Sequence, residues 1–377
     1  MEYRVISGDG HIDLRDLPHD IFTSSAPERL RDRVPHVEET NGERHWFAEG
    51  RDLTGDTLIS RFANLTPPER GLSKHEDRMY EMGFFEGERH PANPEMRVRD
   101  QEMDGVDADV IYGILGIGEN IEDMELRRLV LETYNTWAAD FRGAAPQRLA
   151  PLAELPNYDP EAAAGELRRA AKLGLVGADI AVSGAVLPIW HQGWDPLWAA
   201  ADECNMPVSF HATGYPIRPP SDQGMASEYR EQFRVTYTTM FQLAGAEMLA
   251  AILLSGALER YPGMRFVLGE CGVSWIPYIL GRVDQEYEDL RALNFPMKPS
   301  DYWRRQGYTT FQHETTAADM VRLVGEDNIL WGSDYPHGDG VWPDSQKVLD
   351  EDLDGLDERA RRKITCENTG KLYGLIK

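Results

Sequence analysis

Eight short, almost continuously apolar segments constrain this chain more than any other feature. They begin at Tyr3, Ala108, Leu149, Gly177, Pro207, Arg265, Tyr308 and Asn328, and each is followed by a stretch with helical spacing. Met124 to Phe141, for example, spaces its apolar residues by three and four, which puts them on one helix face. Asp159-Pro160-Glu161 supplies an N-cap, a proline at the first helical position and an acid in the first turn. Strands without polar alternation belong in a sheet covered on both faces. Strict β/α alternation makes such a sheet parallel. The expected fold is α/β, a (β/α)8 TIM barrel formed as one domain over residues 1–377, with a doubly wound open sheet as the alternative. The chain is 41% apolar, enough for a core of that size.

The alternation is interrupted once. Leu14 to Met96 is rich in Pro, Gly, Arg and acids, yet carries Phe22, Trp46, Phe47, Phe62, Tyr80, Phe84 and Phe85. A structureless stretch of that length is improbable inside a compact domain. It is expected to be an insertion after strand one, residues 14–96, folded over one end of the barrel as a lid.

Active sites of such barrels lie at the C-terminal strand ends. Strand one runs into Asp9 and His11, two positions apart and so on the same side of an extended chain. Strand five ends in His211, strand six in Glu270, strand seven in His313 and strand eight in Asp334, with His337 just beyond. So many ionisable groups at one edge carry a heavy desolvation cost unless they share a cation. Asp9, His11, His211, Glu270 and Asp334 are therefore candidate metal ligands. Their mixed oxygen and nitrogen donors suit Zn, Mn or Fe. Three carboxylates exceed what one divalent ion neutralises. One ion with a protonated carboxyl is favoured, and a two-metal site stays open.

Three stretches carry a family resemblance. Gly8-Asp9-Gly10-His11, Val267 to Tyr278 (VLGECGVSWIPY) and Asn328 to His337 (NILWGSDYPH) resemble the amidohydrolase superfamily. Within it they resemble the amidohydrolase-2 branch that includes aminocarboxymuconate-semialdehyde decarboxylase-like enzymes. The resemblance implies the (β/α)8 barrel, a divalent metal, commonly zinc, and ligands His11, His211 and Asp334. Asp9 stands where many members have the first His of a His-x-His pair. Glu270 stands where the decarboxylases have a strand-six His. No Lys ends strand four, so a modified-lysine bridge is not supported. A homodimer or higher oligomer is a further expectation from the resemblance.

The expected activity is metal-dependent hydrolysis or non-oxidative C–C cleavage, decarboxylation in type, on a small carboxylated or aromatic substrate. Asp334, Glu270 and His337 are the candidate catalytic groups. His313, Arg218 and Trp275 are candidates for binding substrate, with Arg234, Trp190, Trp194, Tyr335 and Trp342 as further contacts. An iron-dependent oxygenase on the same site is one alternative, and a non-catalytic partner subunit another.

The net charge of −25 opposes binding to nucleic acid or anionic membranes. Leu243 to Leu258 is too short and interrupted to span a bilayer. Cys204, Cys271 and Cys366 form neither a disulfide framework nor a Cys-x-x-Cys site. With no basic and apolar leader at the N-terminus, the expected location is the cytoplasm. The Gly113–Gly118 loop lacks dinucleotide-binding spacing and is expected at the pocket mouth.

Overall fold

A computed structural model describes residues 2–377 except 41, 55–62, 64, 69, 72, 88, 115–116, 213–229 and 291–292. Arg218 lies outside the described residues, as does the rest of 213–229.

The fold is mixed α/β around two wholly parallel sheets. One has three strands: β1 (Ile6–Ser7), β5 (Ala108–Ile111) and β6 (Leu149–Pro151). The other has six: β7 (Ala153–Glu154), β8 (Ala178–Asp179), β9 (Val208–His211), β10 (Phe266–Gly269), β11 (Gly307–Phe311) and β12 (Ile329–Trp331). Leu152 hands the chain from one sheet to the other. Its N–H bonds the Ile111 carbonyl at 2.9 Å, and the next N–H, of Ala153, bonds Gly177 at 3.0 Å. At the opposite edge the Gly8 N–H meets the Trp331 carbonyl at 2.7 Å, and the Asp334 N–H meets that of Asp9 at 3.0 Å. All the C-terminal strand ends thus open on one side.

Both faces of these strands are buried, as their unbroken apolar composition demands. The helices between them carry the expected punctuation. The Asp159 carboxylate accepts from the Glu161 N–H at 2.9 Å and opens Pro160–Leu173. Gly174 closes that helix in the left-handed conformation, φ 89°. The expected helix over Glu228–Arg260 is divided into Arg230–Met240, Ala244–Leu254 and Ala257–Arg260. Val235–Leu254 is long and apolar enough to cross a membrane by length and composition. Its second half packs against β9, β10 and the helices Ile276–Leu290 and Pro299–Gln306. Pro299–Gln306 and Ser345–Asp352 are helices that apolar periodicity did not reveal.

The stretch 14–96 has structure of its own. β2 (His36–Thr40), β3 (Glu43–Ala48) and β4 (Arg51–Asp52) form a small antiparallel sheet, joined by the helix Lys74–Glu81. Trp46 is fully buried and meets Phe22 edge-on at 6.3 Å. Phe84 packs on Trp342 at 5.3 Å and Tyr335 at 5.8 Å, which fastens this stretch to the loop after β12.

Candidate metal centre

β1 runs straight into Asp9-Gly10-His11, and β12 lies alongside. Gly332 is what permits that approach: a Cβ there would stand 2.3 Å from the Asp9 Cβ and 3.0 Å from its nitrogen. At the end of β10 and just past β12 the backbone is left-handed at Glu270 (φ 53°) and Asp334 (φ 54°). Each such residue costs about 1–3 kcal/mol, and strain of this kind gathers at functional sites. Here it turns both carboxylates toward Asp9 and the histidines.

The side chains converge on one small volume. His11 Nε2 lies 3.4 Å from Asp9 Oδ1 and 3.0 Å from Asp334 Oδ1. His211 Nε2 lies 3.6 Å from Asp9 Oδ1 and 3.5 Å from Glu270 Oε2. Asp9, His11 and His211 each offer a donor atom within 4.8 Å of the others, as do His11, Glu270, Asp334 and His337. All are buried. Asp9 Oδ1, both ring nitrogens of His11 and of His211, and both Asp334 oxygens have no hydrogen-bond partner. Buried polar atoms are almost always satisfied. These are close to one another yet not aligned as donor and acceptor, as expected when several atoms face a common cation. The set fits a divalent metal ion.

The atoms turned away from the centre are held. Asp9 Oδ2 accepts from the Glu270 N–H at 2.9 Å and from the Thr310 hydroxyl at 2.7 Å. Arg97, wholly buried, donates to the His11 carbonyl at 2.7 Å and to Asp109 Oδ2 at 2.5 and 2.8 Å. Outer contacts of this kind orient ligands and tune affinity.

The electrostatics follow from burial and proximity. Burial pushes the Asp9 carboxyl up, but the facing His11 and His211 outweigh it and hold it below the usual carboxylate range. Burial, with Asp334 nearby, raises Glu270 well above. Burial lowers His211. For His337, burial is outweighed by Asp334 and Asp13, and the ring is raised well above its ordinary value. His337 Nδ1 lies 3.0 Å from Asp334 Oδ1, and Nε2 lies 3.3 Å from Asp13. His337 also lines a cavity of about 460 Å³ with Arg15, Arg89, Met79, Phe84 and Phe85.

The other expected contacts lie elsewhere. His313 is half-exposed and paired with Asp352 at 3.0 Å, because the chain after β11 turns its ring outward. Trp275 donates to the Cys271 carbonyl at 2.5 Å and props the loop after β10. Trp190 is a surface residue, 56% exposed. Trp194 is buried on the Leu187 carbonyl. The Tyr335 hydroxyl and the Trp342 indole N–H are committed to Asp100 at 2.6 and 3.0 Å. None of these lines the cavity with His337. Arg234 lies on the helix Arg230–Met240. Sequence reasoning missed Asp13, although it continues the alternation Asp9, His11, Asp13 that puts side chains on one side. It also missed Thr310, Arg97, Arg15 and Arg89, whose positions depend on tertiary contacts.

A family profile described as amidohydrolase matches residues 38–375, most of the chain after β1 and the Asp9-Gly10-His11 stretch. The chain belongs to the amidohydrolase family. It is a metal-dependent hydrolase or carboxy-lyase of that superfamily. A gamma-resorcylate decarboxylase of a Polaromonas species is 26% identical over 300 residues, which are 74% of this chain and 86% of the relative. An amidohydrolase structure from Mycobacterium avium subsp. paratuberculosis superposes with a TM-score of 0.77 at 20% identity, covering 100% of this chain and 99% of the other. A dihydroxybenzoic acid decarboxylase from Polaromonas, solved with manganese and 2-nitroresorcinol, gives 0.63 at 20% identity, covering 99% and 98%. These amidohydrolase neighbours share the fold.

Proposed function

We propose that this amidohydrolase is a divalent-metal-dependent, non-oxidative decarboxylase of aromatic carboxylic acids. Its two parallel sheets close between β1 and β12 into a (β/α)8 barrel, and residues 14–96 form a lid over the strand ends. One observation carries the reading: the buried, unpartnered donor atoms of Asp9, His11, His211 and Asp334 at the strand ends of an amidohydrolase. The decarboxylase relatives supply the reaction class, and the manganese in one neighbour supports Mn beside the Zn expected from the family.

Asp9, His11, His211 and Asp334 would hold the ion, with Glu270 beside His211. When bound, a divalent ion supplies a Lewis acid for the oxygens of the substrate. Phe84, Phe85 and Met79 give the cavity an apolar wall for a flat ring. Arg97 and Thr310 keep His11 and Asp9 in place. As the bond between ring carbon and carboxylate breaks, CO2 leaves and the ring carbon takes a proton held at the Asp334 carboxyl. His337 Nδ1 returns a proton to Asp334. The single proton consumed balances the one C–H bond formed. The homodimer and the cytoplasmic location expected above remain part of this proposal.

The test is anaerobic incubation of manganese- or zinc-loaded protein with 2,6-dihydroxybenzoate and a panel of hydroxybenzoates. CO2 release without oxygen uptake supports the reading. Turnover that requires oxygen, or hydrolysis of esters or amides alone, contradicts it.

A further inference from the structure

The pattern that marks the metal centre recurs one step deeper in the same sheet. Ser209 and His211 lie two positions apart on β9 and so share a face. Asp179 of β8 is paired with Ser209, and Glu154 of β7 with Asp179. The two carboxylates therefore stand side by side on the face that carries His211, further from the strand ends. Both are buried. Each accepts one backbone N–H, Glu154 from Gly113 and Asp179 from His211. Glu154 Oε1 and Asp179 Oδ1 have no hydrogen-bond partner.

A third free oxygen joins them. The Tyr134 hydroxyl, on the helix Met124–Ala144, is fully buried and likewise unpartnered. A Cβ at Gly113 would stand 2.4 Å from that hydroxyl and 2.7 Å from Glu154 Oε1, so the glycine keeps open the space that both atoms border.

We infer that Glu154, Asp179 and the Tyr134 hydroxyl hold a second cation, a hard divalent ion, Mg2+ or Ca2+. None of these ligands belongs to the centre described above, and the inference stands whether or not the enzyme is a decarboxylase.

Charge is the first argument. Among the described residues neither carboxylate is paired with Lys or Arg. Arg97 acts on the Tyr134 hydroxyl, but its guanidinium is bonded to Asp109 at 2.5 and 2.8 Å. Burial raises the Glu154 carboxyl to about 8. Burial, with Glu154 and Asp9 nearby, raises Asp179 well above the usual range although His11 opposes them. Two buried carboxylates without a cationic side chain cost heavily, and one divalent ion offsets both.

The hydroxyl is the second argument. A buried tyrosine O–H beside a carboxylate oxygen ordinarily finds a partner. Here the two atoms border one space and are not bonded to each other, as when both face a third partner. The donor set is the third. It is all oxygen, which suits Mg2+ or Ca2+ and differs from the imidazole-containing centre above. Because Asp179 also accepts the His211 N–H, the ion would brace the strand end that carries a ligand of that centre.

Element analysis tests this. The protein is expressed and purified without chelator, with Mg2+ or Ca2+ in the buffers, then desalted into enough salt to screen its acidic surface. About one Mg or Ca per chain should remain, beside the Mn or Zn of the centre. Glu154→Gln should bring the Mg or Ca count to near zero and leave the Mn or Zn count unchanged. Wild-type protein with both Mg and Ca near zero overturns the inference whether or not the variant folds, and is the result expected if the two carboxyls share a proton instead. A folded Glu154→Gln variant that keeps the wild-type Mg or Ca count overturns it too.

Discussion

Asp9 and Glu270 are 261 positions apart, yet the Glu270 N–H donates to Asp9 Oδ2 at 2.9 Å. One candidate ligand thus positions the other through the backbone. Thr310 completes the link: its hydroxyl donates to the same Asp9 oxygen at 2.7 Å and accepts from the Glu270 N–H at 2.6 Å. Three strands are locked together on the side of Asp9 away from the centre, which leaves Oδ1 for a cation.

Thr310→Val keeps the shape and removes the hydroxyl. Loss of an outer contact of this kind weakens metal binding by about 10–100-fold. We expect that loss in a chelator competition titration, with little change in the far-UV spectrum. Unchanged affinity would mean that Thr310 does not orient Asp9.

Asp334→Asn removes both a candidate ligand charge and the carboxyl assigned to proton transfer. General acid–base groups contribute about 10²–10⁴-fold. Activity of the metal-loaded variant should fall by at least that factor while circular dichroism still reports a folded protein. Activity close to wild type would show that the chemistry is misassigned.

Gly332→Ala should disturb the centre from outside it. The added Cβ would meet Asp9 atoms at 2.3 and 3.0 Å, so β12 or Asp9 must move. Overpacking of this kind costs about 1–3 kcal/mol. Denaturant melts should show the loss of stability, and metal content should fall with it.

Asp104 predicts a pH dependence away from the metal. It accepts from the Ser345 N–H at 2.9 Å and its hydroxyl at 2.5 Å, and burial raises its pKa from 3.8 to about 6. The folded state therefore holds its proton more tightly than the unfolded chain does. The stability this contributes is complete below the unfolded value near 3.8 and is lost as pH rises through about 6. At about 1.4 kcal/mol per unit the swing is at most about 3 kcal/mol. Asp104→Asn should remove that part of the decline between pH 4 and 7 in denaturant titrations. Parallel wild-type and variant curves would refute the assignment.

Much of this was legible in the sequence because strand ends are legible. Asp9, His11, His211, Glu270 and Asp334 each follow an apolar run, and parallel strands bring such ends to one edge whatever the loops do. The same logic failed at His313. It also follows a strand, but a strand end fixes where a residue sits and leaves open which way a loop side chain turns, and its ring pairs with Asp352. The aromatics were read as substrate contacts because they border the loops. Tyr335 and Trp342 instead spend their polar atoms on Asp100. In residues 14–96, Asn41-Gly42 between two runs rich in β-formers was a hairpin signal that composition obscured. The cavity beside His337 could not be found that way, because it is built from separate stretches of chain.

The central claim is that buried carboxylates and imidazoles at the strand ends exist to hold a divalent ion. Metal analysis of protein purified without chelator tests it most directly. The account predicts about one Mn or Zn per chain, lost with Asp9→Asn or His211→Ala. A count near zero in active, folded protein would contradict it.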